Sequence, residues 1–217
     1  MNFKLMINCV SLERDFFSLF LNMKKTEIRK IYLAKKEKLS KAEIEGFSKK
    51  IFSRFISEFQ LKENQKVHCF LSIPGKGEVD TKEFLNYFFE NKIRVFVPKM
   101  INTKLIALEI TKETTLIENS WGIKEPAGEE DCGVKDFDII ITPLLYSDHF
   151  GNRVGYGKGF YDRFFSEINP NAVKVGVSFF PPEEKVEDIS AFDVPLDYLV
   201  TPTEILSFGT FESKSTK

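Results

Sequence analysis

Asp138-Ile139-Ile140-Ile141-Thr142-Pro143 packs three β-branched apolar residues into a short run that a proline closes. A run this short and this uniformly apolar reads as a strand buried on both faces, as in a parallel sheet covered by helices. Four more runs share the build. They are Val67-His68-Cys69-Phe70-Leu71 before Pro74-Gly75, Ile93-Arg94-Val95-Phe96-Val97 before Pro98, Val173 to Phe179 before Pro181-Pro182, and Tyr198-Leu199-Val200-Thr201 before Pro202. Leu105 to Ile110 is a further candidate strand. Helical patterns separate several of these runs, so the class is α/β. The expected architecture is a single-domain three-layer fold, a mainly parallel central sheet with helices on both faces. Ligands of such sheets bind beyond the carboxyl ends of the strands. That rule sets residues 72–78, 98–99 and 143–159 along one crest.

The helices carry their own signals. Residues 25–38 are rich in Lys, Glu, Leu and Ala, with Ile28, Ile31 and Tyr32 toward one face, which reads as a solvated helix. Ser40-Lys41-Ala42-Glu43 is a capping box that opens a second helix. In that helix Ile44, Phe47, Ile51, Phe55 and Phe59 recur at three- and four-residue steps and pack on a core. Thr81 can cap a third helix carrying Phe84, Leu85 and Phe88. No internal repeat or linker interrupts the 217 residues, and residues 122–133 read as an inserted loop.

The 31 basic and 32 acidic side chains nearly cancel, which argues against nucleic acid or a membrane as partner. No run approaches the roughly 18–20 apolar residues of a membrane span. Cys9, Cys69 and Cys132 fit no metal-ligand spacing and suit a reducing cytoplasm. His68 and His149 are the only histidines, so a histidine-based zinc site is not expected. His68 and Cys69 read as core, and Asp148-His149 as a turn. Residues 1–22 lack the features of a signal peptide. Translation from Met23 is expected, with 1–22 an upstream extension, 23–205 the folded domain and 206–217 a tail. The alternative for 1–22 is a disordered tail or an extra amphipathic helix.

Chemistry concentrates in Gly151-Asn152-Arg153-Val154-Gly155-Tyr156-Gly157-Lys158-Gly159-Phe160-Tyr161-Asp162-Arg163. Glycines let the backbone approach a ligand closely, and successive free N–H groups with a following helix make an anion cradle. Phe160, Phe164, Phe165 and Ile168 have helical spacing, so a helix starts near Gly159. Arg153 and Lys158 supply two cations, and Asp162 a carboxylate at the rim. The string is neither a Walker A loop, because Gly159 follows Lys158 where Ser or Thr is needed, nor a dinucleotide fingerprint, because Phe160 falls on the third glycine.

This string resembles the signature of the 5-formyltetrahydrofolate cyclo-ligase family, and the likeness runs from about Lys25 to Thr201. Lys25-x-x-x-Arg29 resembles the family's amino-terminal basic pair. Phe70-Leu71-Ser72 with Glu78-Val79-Asp80-Thr81 resembles its folate-lining segment. Trp121-Gly122-Ile123 with Glu125-Pro126 resembles its central loop, and Asp193-Val194-Pro195-Leu196-Asp197 its carboxy-terminal acidic segment. Pro74-Gly75-Lys76-Gly77 lengthens the loop before Glu78.

The resemblance implies ATP-dependent cyclisation of 5-formyltetrahydrofolate to 5,10-methenyltetrahydrofolate, with ADP and phosphate released, in the cytoplasm. It implies Mg²⁺ as cofactor and a monomer or weak dimer that takes the folate, polyglutamylated forms included. Arg153 and Lys158 are the expected catalytic cations. Lys25, Arg29, Gly155, Gly157, Gly159 and Tyr161 join them around ATP. Leu71, Glu78, Trp121, Tyr156 and Phe160 are expected at the folate, and Asp162 and Asp193 at the metal. Read alone, Lys25 and Arg29 are an ordinary solvated i,i+4 pair, Asp162 a helix first-turn acid, and Asp193 a turn residue. The alternative function is a non-catalytic folate- or nucleotide-binding homologue that buffers 5-formyltetrahydrofolate.

Overall fold

The computed structural model describes residues 21–102, 104–119, 124–128 and 130–209. The chain opens with β1 (Asn22–Met23), α1 (Lys25–Glu37), α2 (Lys41–Glu58) and β2 (Lys66–Cys69). It continues through α3 (Lys82–Glu90), β3 (Arg94–Ile101), β4 (Lys104–Ile110), β5 (Leu116–Glu118), β6 (Lys124–Pro126) and β7 (Ile139–Pro143). It closes with β8 (Tyr146–Ser147), β9 (Arg153–Val154), α4 (Phe160–Glu167), β10 (Val173–Val177), β11 (Lys185–Val186), β12 (Tyr198–Val200) and β13 (Ile205–Ser207).

Seven strands form the central sheet in the order β13-β12-β10-β7-β2-β3-β4. The five inner strands are parallel, and each edge strand is antiparallel to its neighbour. Alternation sorts their side chains between two helical layers. Val67, Cys69, Val95, Val97, Ile139 and Ile141 face the core shared with α2 and α3. Phe96 and Ile140 face Phe164 and Phe165 of α4. Both faces are covered, so the inner strands are apolar on both faces over most of their length, and the three expected layers are present.

Numbered by chain position, the parallel strands run 2-1-3-4-5, with the order reversing between β2 and β7. β2 feeds α3 on one face, and β7 feeds α4 on the other. The loops leaving their carboxyl ends therefore diverge and open a crevice. Everything in the site below is hung on that crevice.

Three local expectations change. The α1 helix is not simply solvated: Ile28 and Tyr32 are fully buried against Tyr146, Leu145 and Val186. Pro98 does not end β3, which runs on to Ile101 paired with β4. Parallel pairing with β2 stops at Phe96, so the missing proline N–H falls beyond the last β2 partner. Thr81 precedes α3 without capping it; its hydroxyl accepts from Ser72 N at 3.2 Å, and Asp80 Oδ1 takes Lys82 N at 3.0 Å. The α2 capping box does form, with Ser40 N donating to Glu43 Oε2 at 2.8 Å and Glu43 N to Ser40 Oγ at 3.3 Å.

The packed unit also reaches past both expected boundaries. Asn22 and Met23 pair with Lys185 and Val186, and Lys185 N donates to Leu21 O at 3.1 Å. At the other end Leu206 and Ser207 cover the β12 edge, and Phe208 packs over Gly151. Gly151 sits at φ +80°, and a Cβ there would lie 2.8 Å from Leu196 O and 2.9 Å from the Phe208 ring. Gly151→Ala is expected to cost about 2–3 kcal/mol through this backbone clash and the left-handed φ. Urea unfolding measures it, and an unchanged midpoint would show that the loop gives way freely.

Candidate active site

The loop leaving β7 is built before it carries any chemistry. Buried Asp148 accepts Phe150 N and Asn152 N on Oδ1, each at 2.9 Å, and Asn152 Nδ2 and Val186 N on Oδ2. One carboxylate thus folds residues 148–152 and ties them to β11, returning the chain as β9 against β8. The glycine string follows directly. Gly157 at φ +89° would place a Cβ 3.2 Å from the Arg29 guanidinium, so glycine here lets the α1 arginine lie beneath the loop. Arg29 Nε donates to Gly155 O at 2.9 Å. Gly159, in the left-handed region, leads into α4 with no side-chain cap, which leaves first-turn N–H groups for an anion.

A cleft of about 660 Å³ opens over this loop at the β2/β7 switch point. Its basic side is lined by Lys25, Arg29, Arg153 and Lys158, with Gly155, Gly157 and Gly159 as floor. Glu78, Lys76, Tyr156, Phe160 and Tyr161 also line it, as do Asp162 and Asp193. Side chains 25 and 193 thus meet across 168 residues of chain, as an ion pair between Lys25 Nζ and Asp193 Oδ2.

Of the two cations singled out in the string, Lys158 is exposed, and among the described residues its ammonium has no partner. Arg153 differs: its side chain is only 8% exposed, Nη2 meets Asp162 Oδ1 at 2.5 Å, and Nη1 donates to Val194 O. Its guanidinium also lies 4.6 Å from the Phe165 ring centroid. Asp162 Oδ1 further accepts Val194 N at 3.2 Å. Arg153 thus ties the string to residues 193–194 through one bond from each terminal nitrogen, and a guanidinium has five N–H donors in all.

The metal expectation rests on the oxygens left over. Asp162 Oδ1 and Asp193 Oδ2 are occupied as above, the latter also by Ser190 N at 2.6 Å. Asp162 Oδ2 and Asp193 Oδ1 have no hydrogen-bond partner among the described residues. Two carboxylate oxygens beside a phosphate cradle fit the hard-oxygen preference of Mg²⁺. No cluster of three or more His, Cys, Asp or Glu side chains suited to a metal occurs among the described residues.

Glu78 Oε2 accepts Ile73 N at 2.9 Å. Burial raises its carboxyl above the usual range, against the pull of that N–H and of Lys36 and Lys76. Tyr156 shows its ring to solvent, but its hydroxyl accepts Lys36 Nζ at 3.0 Å, and burial of that end pushes it up to about 12. Tyr161 lines the cleft with its ring, while its buried hydroxyl has no partner and is raised well above the usual range by burial.

Leu71 is not among the residues lining the cleft: its half-buried side chain packs on the core beneath α2 and α3, and Ile73 and Pro143 line the cleft. Trp121 lies outside the described residues. Lys36 and Asp148 were not anticipated. Lys36 continues the stripe of Lys25, Arg29 and Tyr32 at positions 25, 29, 32 and 36, a helical period that could have exposed it. Asp148 carries no such signal, because its four donors come from both sides of a turn and a distant strand.

Comparison with known proteins agrees. Residues 22–202 match the model of the 5-formyltetrahydrofolate cyclo-ligase family. A Schizosaccharomyces pombe protein named "Probable 5-formyltetrahydrofolate cyclo-ligase" is 30% identical over 204 residues, 86% of this chain and 98% of that protein. The 5-formyltetrahydrofolate cyclo-ligase of Haemophilus influenzae is 29% identical over 147 residues, 64% of this chain and 79% of that one. The solution structure of Aquifex aeolicus 5,10-methenyltetrahydrofolate synthetase superposes with a TM-score of 0.73 at 30% identity, covering 90% of this chain and 97% of that one. With the family's model spanning the parallel strands, the glycine string and the carboxy-terminal acidic segment, this chain belongs to the 5-formyltetrahydrofolate cyclo-ligase family.

Proposed function

We propose that this cleft binds ATP on its basic side and 5-formyltetrahydrofolate beside Glu78, and joins them in the cyclo-ligase reaction. Cyclo-ligase activity with ATP is what membership of the family entails. The observation that carries the site is one cleft lined both by an uncapped helix N-terminus with cations and by a half-buried carboxylate with aromatic rings. The first suits a triphosphate and the second a flat heterocycle with N–H donors.

In this reading the formyl oxygen attacks the γ-phosphorus of ATP and ADP leaves. The formyl carbon becomes an imidate-type centre bearing phosphate. N10 attacks that carbon and loses its proton to phosphate or water, and phosphate departs to leave the methenyl bridge. No protein nucleophile is needed, so the chain's task is positioning and charge neutralisation. Lys158, Lys25 and Arg29 face the phosphates, and Arg153 holds the string in place. Mg²⁺, when bound, would take Asp162 Oδ2 and Asp193 Oδ1 with phosphate oxygens, and would neutralise charge on the transferred group.

Purified protein with ATP, Mg²⁺ and 5-formyltetrahydrofolate is expected to produce the absorbance of the methenyl product. Tight folate binding without product would favour the buffering homologue instead. Lys158→Ala is expected to lower kcat/KM for ATP about a hundredfold, with the unfolding midpoint unchanged because the ammonium has no protein partner. Full activity in that variant would remove Lys158 from the phosphate site.

A further inference from the structure

At the border of the cleft a buried lysine and a half-buried glutamate lie near each other without touching. Lys36, in the last turn of α1, is 7% exposed, and among the described residues its ammonium makes one hydrogen bond, to the Tyr156 hydroxyl at 3.0 Å. An ammonium carries three donors, so two are left over. Glu78 has one hydrogen bond of its own, from Ile73 N. The two side chains interact electrostatically, yet no ion pair within 4.0 Å joins them. Both are desolvated: burial lowers the Lys36 ammonium and raises the Glu78 carboxyl from their ordinary values.

Opposite charges partly withdrawn from water and held apart are costly unless something fits between them. The spaces around them narrow the choice. Lys36, Glu78 and Tyr156 line a small pocket under Phe70 and Phe179, and also a groove of about 930 Å³ along α1 and α2. Glu78 and Tyr156 belong to the ATP-facing cleft as well. The pair therefore stands at a junction of three spaces. A free anion there meets Glu78, and a free cation meets Lys36. A neutral edge presenting both donors and an acceptor satisfies both.

We propose that Lys36 is a specificity-determining, substrate-contacting residue that donates to the 4-oxo oxygen of a 2-amino-4-oxopteridine, while Glu78 accepts from the N–H donors of the same edge. This rests on the reading of Glu78 as a folate contact and adds a second, oppositely charged reader. A pteridine with an amino group at C4 turns that acceptor into a donor and opposes two donors to each other. Lys36 therefore selects oxo over amino at C4.

Folic acid and aminopterin differ at C4 in this way and serve as probes, with binding measured by calorimetry at pH 8. The native chain is expected to prefer folic acid. Lys36→Met is expected to weaken folic acid about 10–100-fold, the worth of one hydrogen bond from a charged donor, while aminopterin changes less than about threefold. Lys36→Gln, which keeps an N–H donor, is expected to retain part of the preference and covers the case in which Lys36→Met does not fold. Equal weakening of both probes would reduce Lys36 to a prop for Tyr156 and overturn the proposal. So would unchanged folic acid binding. A native chain that binds neither probe nor 5-formyltetrahydrofolate would overturn the folate site itself, an outcome distinct from the other two.

Discussion

Asp162→Ala is expected to lower the unfolding free energy by about 3–5 kcal/mol, the cost of stranding one member of a buried ion pair. The geometry gives the reason. Arg153, 8% exposed, keeps Nη2 on Asp162 Oδ1 at 2.5 Å, and the same oxygen holds Val194 N at 3.2 Å. Removing the carboxylate leaves a guanidinium out of water with only Val194 O and the Phe165 ring, and frees residues 193–194 from the glycine string. Asp162→Asn keeps an acceptor for Val194 N and is expected to lose about half as much. Urea unfolding of both variants is the measurement. A change below about 1 kcal/mol in Asp162→Ala would mean that the carboxylate serves a ligand alone and not the fold.

The second large effect is a pH dependence traceable to His68. Its ring is fully buried between Phe137, Phe164 and Tyr161, neither nitrogen has a partner among the described residues, and burial lowers it to about 3 from 6.5. The folded chain therefore stays neutral where the unfolded chain takes a proton. Its contribution is whole above pH 6.5, shrinks as pH falls from 6.5 toward 3, and is constant below that. At 1.36 kcal/mol per pH unit, the full loss is about 4–5 kcal/mol, and that at pH 4.5 is about 2–3 kcal/mol. Carboxylates titrate in the same range, so the comparison is with His68→Leu. The native chain should lose about 2–3 kcal/mol more than His68→Leu between pH 7 and pH 4.5. Parallel profiles would mean that the ring finds a proton acceptor or water in the folded state.

His68 also illustrates how far a residue string can be read. Its place inside a strand is evident from Val67-His68-Cys69-Phe70-Leu71, but alternation sends it to the α4 face, away from Val67 and Cys69. There it joins the Tyr161 hydroxyl as a buried polar group without a partner, and Thr142 is a third, two residues along β7 from Ile140, which pairs with His68. Strand identity is local, whereas the partner of a buried ring atom is not. Likewise the capping box at Ser40 could be read directly, because its donors and acceptors lie three residues apart. Thr81 misled because its hydroxyl had a competing partner nine residues back, at Ser72.

By itself the sequence determined the α/β class, most of the strands and helices, and the glycine-rich loop that lines the cleft. Apolar periodicity, proline and glycine act on the chain within a few residues, so they are visible in a string. Tertiary structure alone decided the 2-1-3-4-5 strand order and hence the crevice between β2 and β7. It also decided which charges are free to meet a ligand. Arg153 and Lys158 look alike five residues apart, yet one is bound to Asp162 and Val194 and the other is open. Lys36 reads as one more surface lysine until the loop bearing Tyr156, 120 residues on, closes over it. A charge takes its role from the groups within a few ångströms of it, and in a parallel sheet those groups come from remote parts of the chain.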